Sequence, residues 1–139
     1  KMSKKQYIVF KVSNIEYAAS IEDIQEIITY EEPTSIPLSE DKIEGVINYR
    51  QDVVPIINIK SIFNLEKTAP TKNTRIIIVN LDDKSSGFIV DDIYKIINIE
   101  EEDIKPTAGG NKHNYIEGLV IVNDEDEEKV LSILNLRLL

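Results

Sequence analysis

The stretch GVINYRQDVVPIINI, residues 45–59, indicates most directly how this chain folds. Two runs rich in β-branched residues flank the dipeptide Arg50-Gln51, which is the pattern of a β-hairpin with a tight turn. Pro55 fits an edge or bulge position, because proline cannot donate a hydrogen bond to a sheet. The same bias extends through the chain, which contains 25 Ile and 10 Val among 139 residues. Because side chains branched at Cβ fit a pleated sheet better than a helix, the sequence predicts a strand-rich fold.

Short β-branched runs separated by Gly, Pro, Asn and Asp continue on both sides of this hairpin. Turn signals recur every ~8–12 residues, a spacing typical of an all-β barrel or sandwich. One helical turn is predicted at residues 61–65. The ten predicted strands cover residues 6–12, 16–21, 24–30, 45–49, 52–59, 75–81, 87–90, 93–99, 116–122 and 130–136.

The second half of the chain repeats the first. The matching segments are IQEII with IYKII at an offset of 69, IEG with IEG at 73, and IINI with ILNL at 77, beginning at residues 24, 43 and 56. Pro37 falls on Pro106 at the first offset. Two four-residue insertions in loops of the second half explain the growing offset, so the pattern predicts an internal duplication.

Each copy supplies about five strands, enough to close a small barrel whose interior is filled by side chains. The predicted architecture is therefore all-β, with two small five-stranded barrels side by side. In a linear division the first barrel spans about residues 6–66 and the second about 74–139, with a connector between them. A groove between two rigid barrels is a natural docking site for a helix or an extended peptide.

Composition excludes several classes of function. There are 16 Lys and Arg against 25 Asp and Glu, giving a net charge of −9 and arguing against nucleic acid as a partner. The absence of cysteine excludes a disulfide, a thiol nucleophile and a Cys-ligated zinc. No apolar run approaches the ~20 residues that span a bilayer, so direct membrane insertion is not expected.

No group of residues has the spacing of a catalytic or cofactor site. The acidic run at 124–128 lacks the central Gly and closing Glu of a calcium loop. The Gly-containing segments at 85–87 and 108–112 lack the Gly-Lys-Ser/Thr context that binds phosphate. His113 is the single histidine. These segments are interpreted as turns and solvated surface, and the chain is predicted to be a non-enzyme without metal or cofactor.

Residues 45–59 resemble the central motif of CheW-like domains. That motif runs Gly-Val-Ile-Asn-Leu-Arg-Gly, two variable residues, then Val/Ile-Pro-Ile/Val-Ile/Val-Asp-Leu. Residues 24–28 are similar to its Val-x-Glu-Ile element, with Ile36-Pro37 following, and residues 88–93 to its Leu-Val-Asp-x-Val element. The resemblance runs in order from Tyr7 to Leu136. Gln51 replaces the usual Gly after Arg50, and Asn58, like its repeat partner Asn135, stands where Asp is common.

The resemblance implies a non-catalytic adaptor of bacterial chemotaxis arrays, built from two five-stranded SH3-like barrels. It also implies that the barrels exchange strands in part, in which case a linear boundary at residues 66–74 misassigns a strand. In that family, an adaptor in the cytoplasm joins the cytoplasmic tips of methyl-accepting chemotaxis receptors to the regulatory domain of the histidine kinase CheA. It is thereby recruited to membrane-associated arrays. The receptor hairpin is expected in the groove between the barrels. Matched to the family motifs, the kinase-binding positions are Ile24, Glu26 and Ile27, and the receptor-binding positions are Gly45, Asn48, Arg50, Arg75 and Ile96.

The sequence allows other interpretations, two of which have the same fold. The chain could instead be the adaptor half of a CheV-type protein or the regulatory domain of a CheA-type kinase. A nucleotide-binding enzyme has no support from the phosphate-loop evidence. A generic SH3-like module that binds proline-rich peptides would need more surface aromatics than a chain with 6% aromatic residues supplies.

Overall fold

The computed structural model describes residues 4–37, 42–107 and 114–139, which form ten strands and a few short helical turns. The strands are β1 (Lys4–Val12), β2 (Ile15–Ser20), β3 (Ile24–Thr29), β4 (Ile43–Tyr49), β5 (Asp52–Asn58), β6 (Arg75–Leu81), β7 (Lys84–Val90), β8 (Asp92–Glu100), β9 (Ile116–Asp124) and β10 (Glu127–Leu134). Helix α1 (Ile59–Ile62) follows β5, and 3-10 turns lie at Ile21–Asp23, Glu101–Asp103 and Leu136–Leu138. None of the described helices is long and apolar enough to cross a bilayer.

The strands form two five-stranded sheets, which confirms the predicted all-β fold of two small SH3-like barrels. Barrel A has the strand order β8-β1-β2-β10-β9, and barrel B has the order β3-β6-β7-β5-β4. The linear division at residues 66–74 does not describe these sheets. Strands β1 and β2 belong to the first half of the sequence but join the sheet of the second half, where β1 pairs with β8 and β2 runs parallel to β10. Barrel B is continuous in the chain and is inserted between β2 and β8.

The duplication extends to details of the backbone. Each barrel contains one parallel pair, β2–β10 and β5–β7, related by the offsets 69 and 77. A register shift surrounds Gln25 in β3 and Tyr94 in β8, and another surrounds Glu44 in β4 and Glu117 in β9. Asn58 and Asn135 cap the helical turns that follow β5 and β10, each accepting a backbone N–H two residues on. The cap at Asn58 also explains why α1 begins at Ile59, two residues before the predicted turn.

One predicted equivalence is wrong by two residues. Thr34 bridges Val46 in β4, and Lys105 bridges Leu119 in β9. The bridges make Thr34 equivalent to Lys105, an offset of 71 that lies between 69 and 73, so the first insertion is already half complete at this point. Pro37 and Pro106 are therefore not equivalent.

Strands β1 and β6, each second in the order of its sheet, bury both of their faces. In β1, Tyr7 and Val9 point into barrel A, whereas Ile8, Phe10 and Val12 point between the barrels. The equivalent residues of β6 divide in the same way. Between the barrels lies a shared core that draws on both sheets and consists of Ile8, Phe10, Val12, Ala19, Ile57, Ile59, Ile77, Val79, Phe88, Val90, Leu134 and Leu136.

The hairpin of β9 and β10 is longer than its counterpart. Tyr49 pairs with Asp52 as the last rung before the turn of β4 and β5, whereas the equivalent pair, Val122 and Lys129, is followed by two more rungs. The acidic segment predicted to be a loop is thus mostly strand, with a two-residue turn at residues 125–126. This is where the second four-residue insertion lies.

An ion pair between a buried lysine and a half-buried aspartate joins the barrels at the connector. The ammonium of Lys60, whose side chain is 5% exposed, lies 3.0 Å from Asp91 Oδ1 and donates to Thr68 Oγ1 at 2.7 Å. The other carboxylate oxygen of Asp91 accepts the backbone N–H of Ser13 at 2.7 Å. Lys60 and Thr68 belong to the barrel B side and Ser13 to barrel A, so one carboxylate connects both.

We expect Asp91→Asn to lower the free energy of unfolding by about 3 kcal/mol, because it leaves the buried Lys60 charge without a counter-ion. Lys60→Met should cost less, about 1 kcal/mol. Asp91 is one-third exposed and keeps the hydrogen bond from Ser13, so it can be solvated alone. Urea unfolding of both variants at pH 7 measures the difference. Equal losses would mean that Lys60 does not depend on Asp91.

Two glycines are required by close backbone contacts at the bridges. A Cβ on Gly45 would lie 2.3 Å from Thr34 O, and one on Gly118 would lie 2.5 Å from Lys105 O. Both residues have positive φ, 157° and 159°. The closest clashing atom at each glycine is a backbone carbonyl oxygen, so no flexible side-chain end can move aside to relieve it.

Gly45→Ala and Gly118→Ala should therefore each lower the free energy of unfolding by at least ~2 kcal/mol. Asn48→Ala, at an exposed position of β4, is the control and should change stability by less than ~0.5 kcal/mol. Thermal and urea unfolding provide the measurement. A stable Gly45→Ala protein would show that Thr34 moves away from β4 at little cost.

Candidate functional site

Glu26 and Arg50, which the sequence predicts to bind different partners, form a hydrogen-bonded ion pair with each other. Glu26 lies on β3 and Arg50 in the turn after β4, and these strands stand at the two ends of the order of barrel B. Arg50 Nη2 donates to Glu26 Oε1 at 2.9 Å. The hydroxyl of Tyr49 donates to the same oxygen. Side chains thus close barrel B where the sheet order ends, and this β3–β4 closure is called seam B.

The turn holds Arg50 in a defined position although it lacks glycine. Arg50 and Gln51 have φ values of 51° and 69°, the left-handed pair of a type I′ hairpin turn. The Gln51 departure from the family motif therefore leaves the turn type intact. The guanidinium carbon lies 5.4 Å from the centre of the Tyr49 ring, within the range of a cation–π contact.

The electrostatics of seam B favour an ionised Glu26. The hydrogen bond from Tyr49, and then that from Arg50, hold the pKa of the Glu26 carboxyl below its usual value. The same bond raises the pKa of the Tyr49 hydroxyl, because losing its proton would place two negative charges together. Seam B is consequently a fixed carboxylate–guanidinium pair with a buried phenol beneath it.

The remaining predicted kinase-binding residues lie next to Glu26. Ile24 and Ile27 are half-buried on β3 and pack against the shared core. Their side chains therefore support the interior as well as the surface. Glu26 is the member of this set whose polar group faces solvent, with 37% of its side chain exposed.

The predicted receptor-binding residues are distributed over both barrels. Asn48 is exposed on β4, and Ile96 is 53% exposed on β8 of barrel A. Gly45 is buried and meets Thr34, as described above. Arg75 donates to the backbone carbonyls of Lys72 and Thr74, at 2.8 and 2.9 Å. Arg50, 70% exposed, is the most open charged group among them.

Sequence reasoning missed Tyr49, which connects the two predicted sites. It is 9% exposed and belongs to the core of barrel B. From the sequence alone it looks like an ordinary core aromatic residue. The signal was present in the motif, because an inward aromatic directly before a turn arginine brings a phenol under the guanidinium. The edge partner Glu26 could not be assigned from that spacing.

Barrel A closes in the equivalent place with opposite polarity, between β8 and β9, a closure called seam A. Lys95, equivalent to Glu26, lies 2.7 Å from Asp124 Oδ1. Tyr94 and Lys129 donate to the other oxygen of Asp124 at 2.8 and 3.2 Å. Lys129 also lies 3.2 Å from Glu16, and the Lys95 contact is the leading cause that keeps the pKa of Asp124 well below its usual range.

The segments considered for catalysis or metal binding contain no such site where they are described. Residues 85–87 are part of β7, with Gly87 packed against Ile56 and Ile76. Within residues 4–37, 42–107 and 114–139, no group of three His, Asp or Glu side chains could hold a metal ion. The loop at 108–112 and His113 lie outside the described residues.

Comparison with known proteins agrees with this geometry. A family model described as CheW-like domain matches residues 6–139. The chemotaxis protein CheW of Bacillus subtilis is 37% identical over 106 residues, covering 76% of this chain and 68% of that protein. CheW of Klebsiella aerogenes is 30% identical over 136 residues, covering 92% of this chain and 82% of that protein.

A solved structure has the same fold. The scaffolding protein TtCheW from Thermoanaerobacter tengcongensis superposes with a TM-score of 0.83 at 32% identity, covering 96% of this chain and 90% of that one. Proteins of this family are non-catalytic scaffolds of chemotaxis, in agreement with the prediction that the chain is not an enzyme. With two duplicated barrels, the motif of residues 45–59 and a family match over nearly its whole length, the chain belongs to the CheW-like domain family.

Proposed function

We propose that this protein couples the cytoplasmic tips of transmembrane chemoreceptors to the regulatory domain of the histidine kinase CheA. It acts as a scaffold in the cytoplasm and is recruited to receptor arrays at the membrane through these contacts. The observation that carries the proposal is the shared carboxylate oxygen of Glu26, which accepts hydrogen bonds from Tyr49 and Arg50. Family membership provides the class of partner.

The kinase contact is assigned to the β3 surface of barrel B. Ile24 and Ile27 supply apolar area beside the single acidic group Glu26. An interface of this kind gains affinity from buried apolar contacts, whereas a charge at its centre fixes the orientation of the partner. A basic group of the kinase domain would replace or join Arg50 on the Glu26 carboxylate.

The receptor contact is assigned to Asn48 and Arg50 of barrel B together with Ile96 of barrel A. A helical hairpin lying across both barrels would meet these exposed groups. Gly45 and Arg75 contribute through the backbone they support, since Gly45 is buried and Arg75 is bonded to carbonyls of the connector. Apolar anchors such as Ile96 would set the affinity for a helix, because helices dock in grooves through apolar residues at helical spacing.

The two contacts are linked because they share the same ion pair. A partner that draws Arg50 away leaves Glu26 free for the kinase, and a kinase group on Glu26 releases Arg50 for the receptor. Coupling of two binding sites is reciprocal, so each partner raises the affinity for the other by the same factor. This follows from one carboxylate for which Arg50 and a basic group of the kinase domain compete.

Single variants should separate the two contacts. We expect Glu26→Arg to weaken binding of the isolated CheA regulatory domain about tenfold or more. The reason is that the new arginine would repel the basic group of the kinase domain that is proposed to contact Glu26. Arg50→Ala should reduce receptor-dependent kinase activation while changing kinase-domain affinity by less than about threefold. Calorimetry and a reconstituted kinase assay measure the two effects, with circular dichroism to verify folding.

The control uses another surface ion pair of barrel B, between Lys67 and Glu44, whose closest atoms are 2.7 Å apart. Exchanging these two charges should leave both readouts unchanged. The double variant Glu26→Arg/Arg50→Glu keeps an ion pair at seam B but should still fail to bind the kinase domain. An unaltered dissociation constant for Glu26→Arg would overturn the kinase assignment, and equal effects of Arg50→Ala on both readouts would make Arg50 structural.

Tyr49→Phe should raise the pKa of Glu26 toward its usual value, because the strongest donor to the carboxylate is removed. A lowered pKa in the folded state stabilises the protein above the unfolded pKa, and the effect is lost as the pH falls through the folded pKa. The variant should therefore differ from the parent more at pH 7 than at pH 3. Carboxyl ¹³C NMR and urea unfolding test this. Tyr30→Phe, whose ring packs on the same core, is the control. A Glu26 pKa unchanged in Tyr49→Phe would mean that the phenol does not bond to it.

A further inference from the structure

Seam A contains a cavity that lies outside the proposed coupling site. Its volume is about 260 Å³, and it opens between β8 and β9. The floor is apolar and includes Val9 and Leu131, which are 1% and 2% exposed. The rim carries Lys95, Lys129, Glu16 and Asp124.

The internal duplication indicates what fits this space. Tyr49 pairs with Asp52, and Val122 pairs with Lys129. Because Asp52 and Lys129 are equivalent at the offset of 77, Val122 is the equivalent of Tyr49. Both side chains pack on the core of their own barrel. In barrel B the Tyr49 ring occupies its seam and its hydroxyl reaches a carboxylate of the edge strand. In barrel A the same position carries a side chain that is smaller by an aromatic ring.

We propose that the seam A cavity binds a phenol ring from another molecule, in the place that Tyr49 occupies in barrel B. An apolar cavity of ~150 Å³ in another protein holds benzene, so the volume here is sufficient for a ring with one substituent. Filling it removes the apolar floor from water. The ring could come from a free small phenol or from a tyrosine side chain of a partner protein.

The charges of the rim select a neutral ligand with one polar atom. Two lysines face two carboxylates, and each of these groups already has an ionic partner at 2.7–3.2 Å. An anionic ligand would have to break those pairs. Asp124 accepts three hydrogen bonds, whereas Glu16 accepts one from Lys129 among the described contacts. Lys95 stands where Glu26 accepts the Tyr49 hydroxyl in barrel B, so the acceptor in barrel A is a different group. A carboxylate can accept about four hydrogen bonds, so Glu16 on β2 is the acceptor for the incoming hydroxyl.

The probe is 4-methylphenol, which is the side chain of tyrosine, added to the full chain labelled at Ile, Leu and Val methyl groups. We expect saturable NMR shifts at Val9, Ile97 and Leu131, with a dissociation constant on the order of 1 mM. Methyl groups of the barrel B core, such as Val54 and Ile56, should not respond. Toluene should bind about threefold to tenfold more weakly, because it lacks the hydroxyl that bonds to Glu16.

Variants at one hairpin distinguish this cavity from nonspecific binding. Val122→Tyr should fill the cavity with its own ring and abolish the shifts. If that variant does not fold, the smaller substitution Val122→Leu replaces it in the test and should weaken the shifts. Val130→Tyr adds the same ring to the outer face of β10, where Val130 is 61% exposed, and should leave binding unchanged.

Two peptides identify the source of the ring. A capped Gly-Tyr-Gly peptide that binds at least as tightly as 4-methylphenol, with Gly-Phe-Gly weaker, would indicate a tyrosine of a partner. Binding of 4-methylphenol but neither peptide would indicate a free phenol. The proposal is overturned by the absence of shifts at 20-fold the expected dissociation constant, by equal shifts in barrel B, or by shifts that persist in both Val122 variants. None of these results depends on the kinase or the receptor.

Discussion

The burial of β1 and β6 on both faces is the constraint on which the rest of the structure depends. A strand with two apolar faces needs a core on each side, and a single five-stranded barrel offers only one. The chain meets this requirement by placing β1 and β6 between their own barrel interior and the shared core. Phe10 and Phe88 are almost entirely buried in that shared core, where burial of each side chain stabilises the fold by roughly 1.5–3 kcal/mol.

Strand exchange follows from the same constraint. Because β1 and β2 complete the barrel formed by the last three strands, neither half of the sequence contains a complete barrel. A cut in the connector would leave β1 and β2 without β8 and β10, and it would expose the shared core on both pieces. The two barrels are consequently one folding unit, held further by Asp91 at their junction.

Much of this architecture could be predicted from the sequence, because β-branched runs, turn residues and a repeated register are local signals. The exchange could not, since two equivalent copies of a strand present the same pattern to either partner. The segment 123–128, rich in Asp and Glu, is predicted from the sequence to be a loop because these residues are poor strand formers. Cross-strand pairing with β10 nevertheless extends β9 to Asp124. The pairing of Glu26 with Arg50 was hidden for a different reason. They lie 24 residues apart at opposite ends of a sheet order, and only barrel closure brings them together.

Apart from the backbone bridges at Thr34 and Lys105, side chains rather than a ladder join the ends of each sheet. This explains why the seams are the sites of divergence between the copies. A ladder fixes two strands whatever their side chains, whereas a seam depends on the residues that meet there and can change partner without unfolding the sheet. The duplicated chain has used that freedom in opposite ways. Seam B is filled by a buried tyrosine under an exposed ion pair, and seam A has a valine beneath a longer hairpin and a denser set of charges. The more open ion pair, Glu26 with Arg50, is the one whose donors a protein surface can replace, and the better-enclosed carboxylate of Asp124 is bound by three donors that hold its hairpin in place. The asymmetry of the two seams therefore gives the two duplicated barrels two different surfaces.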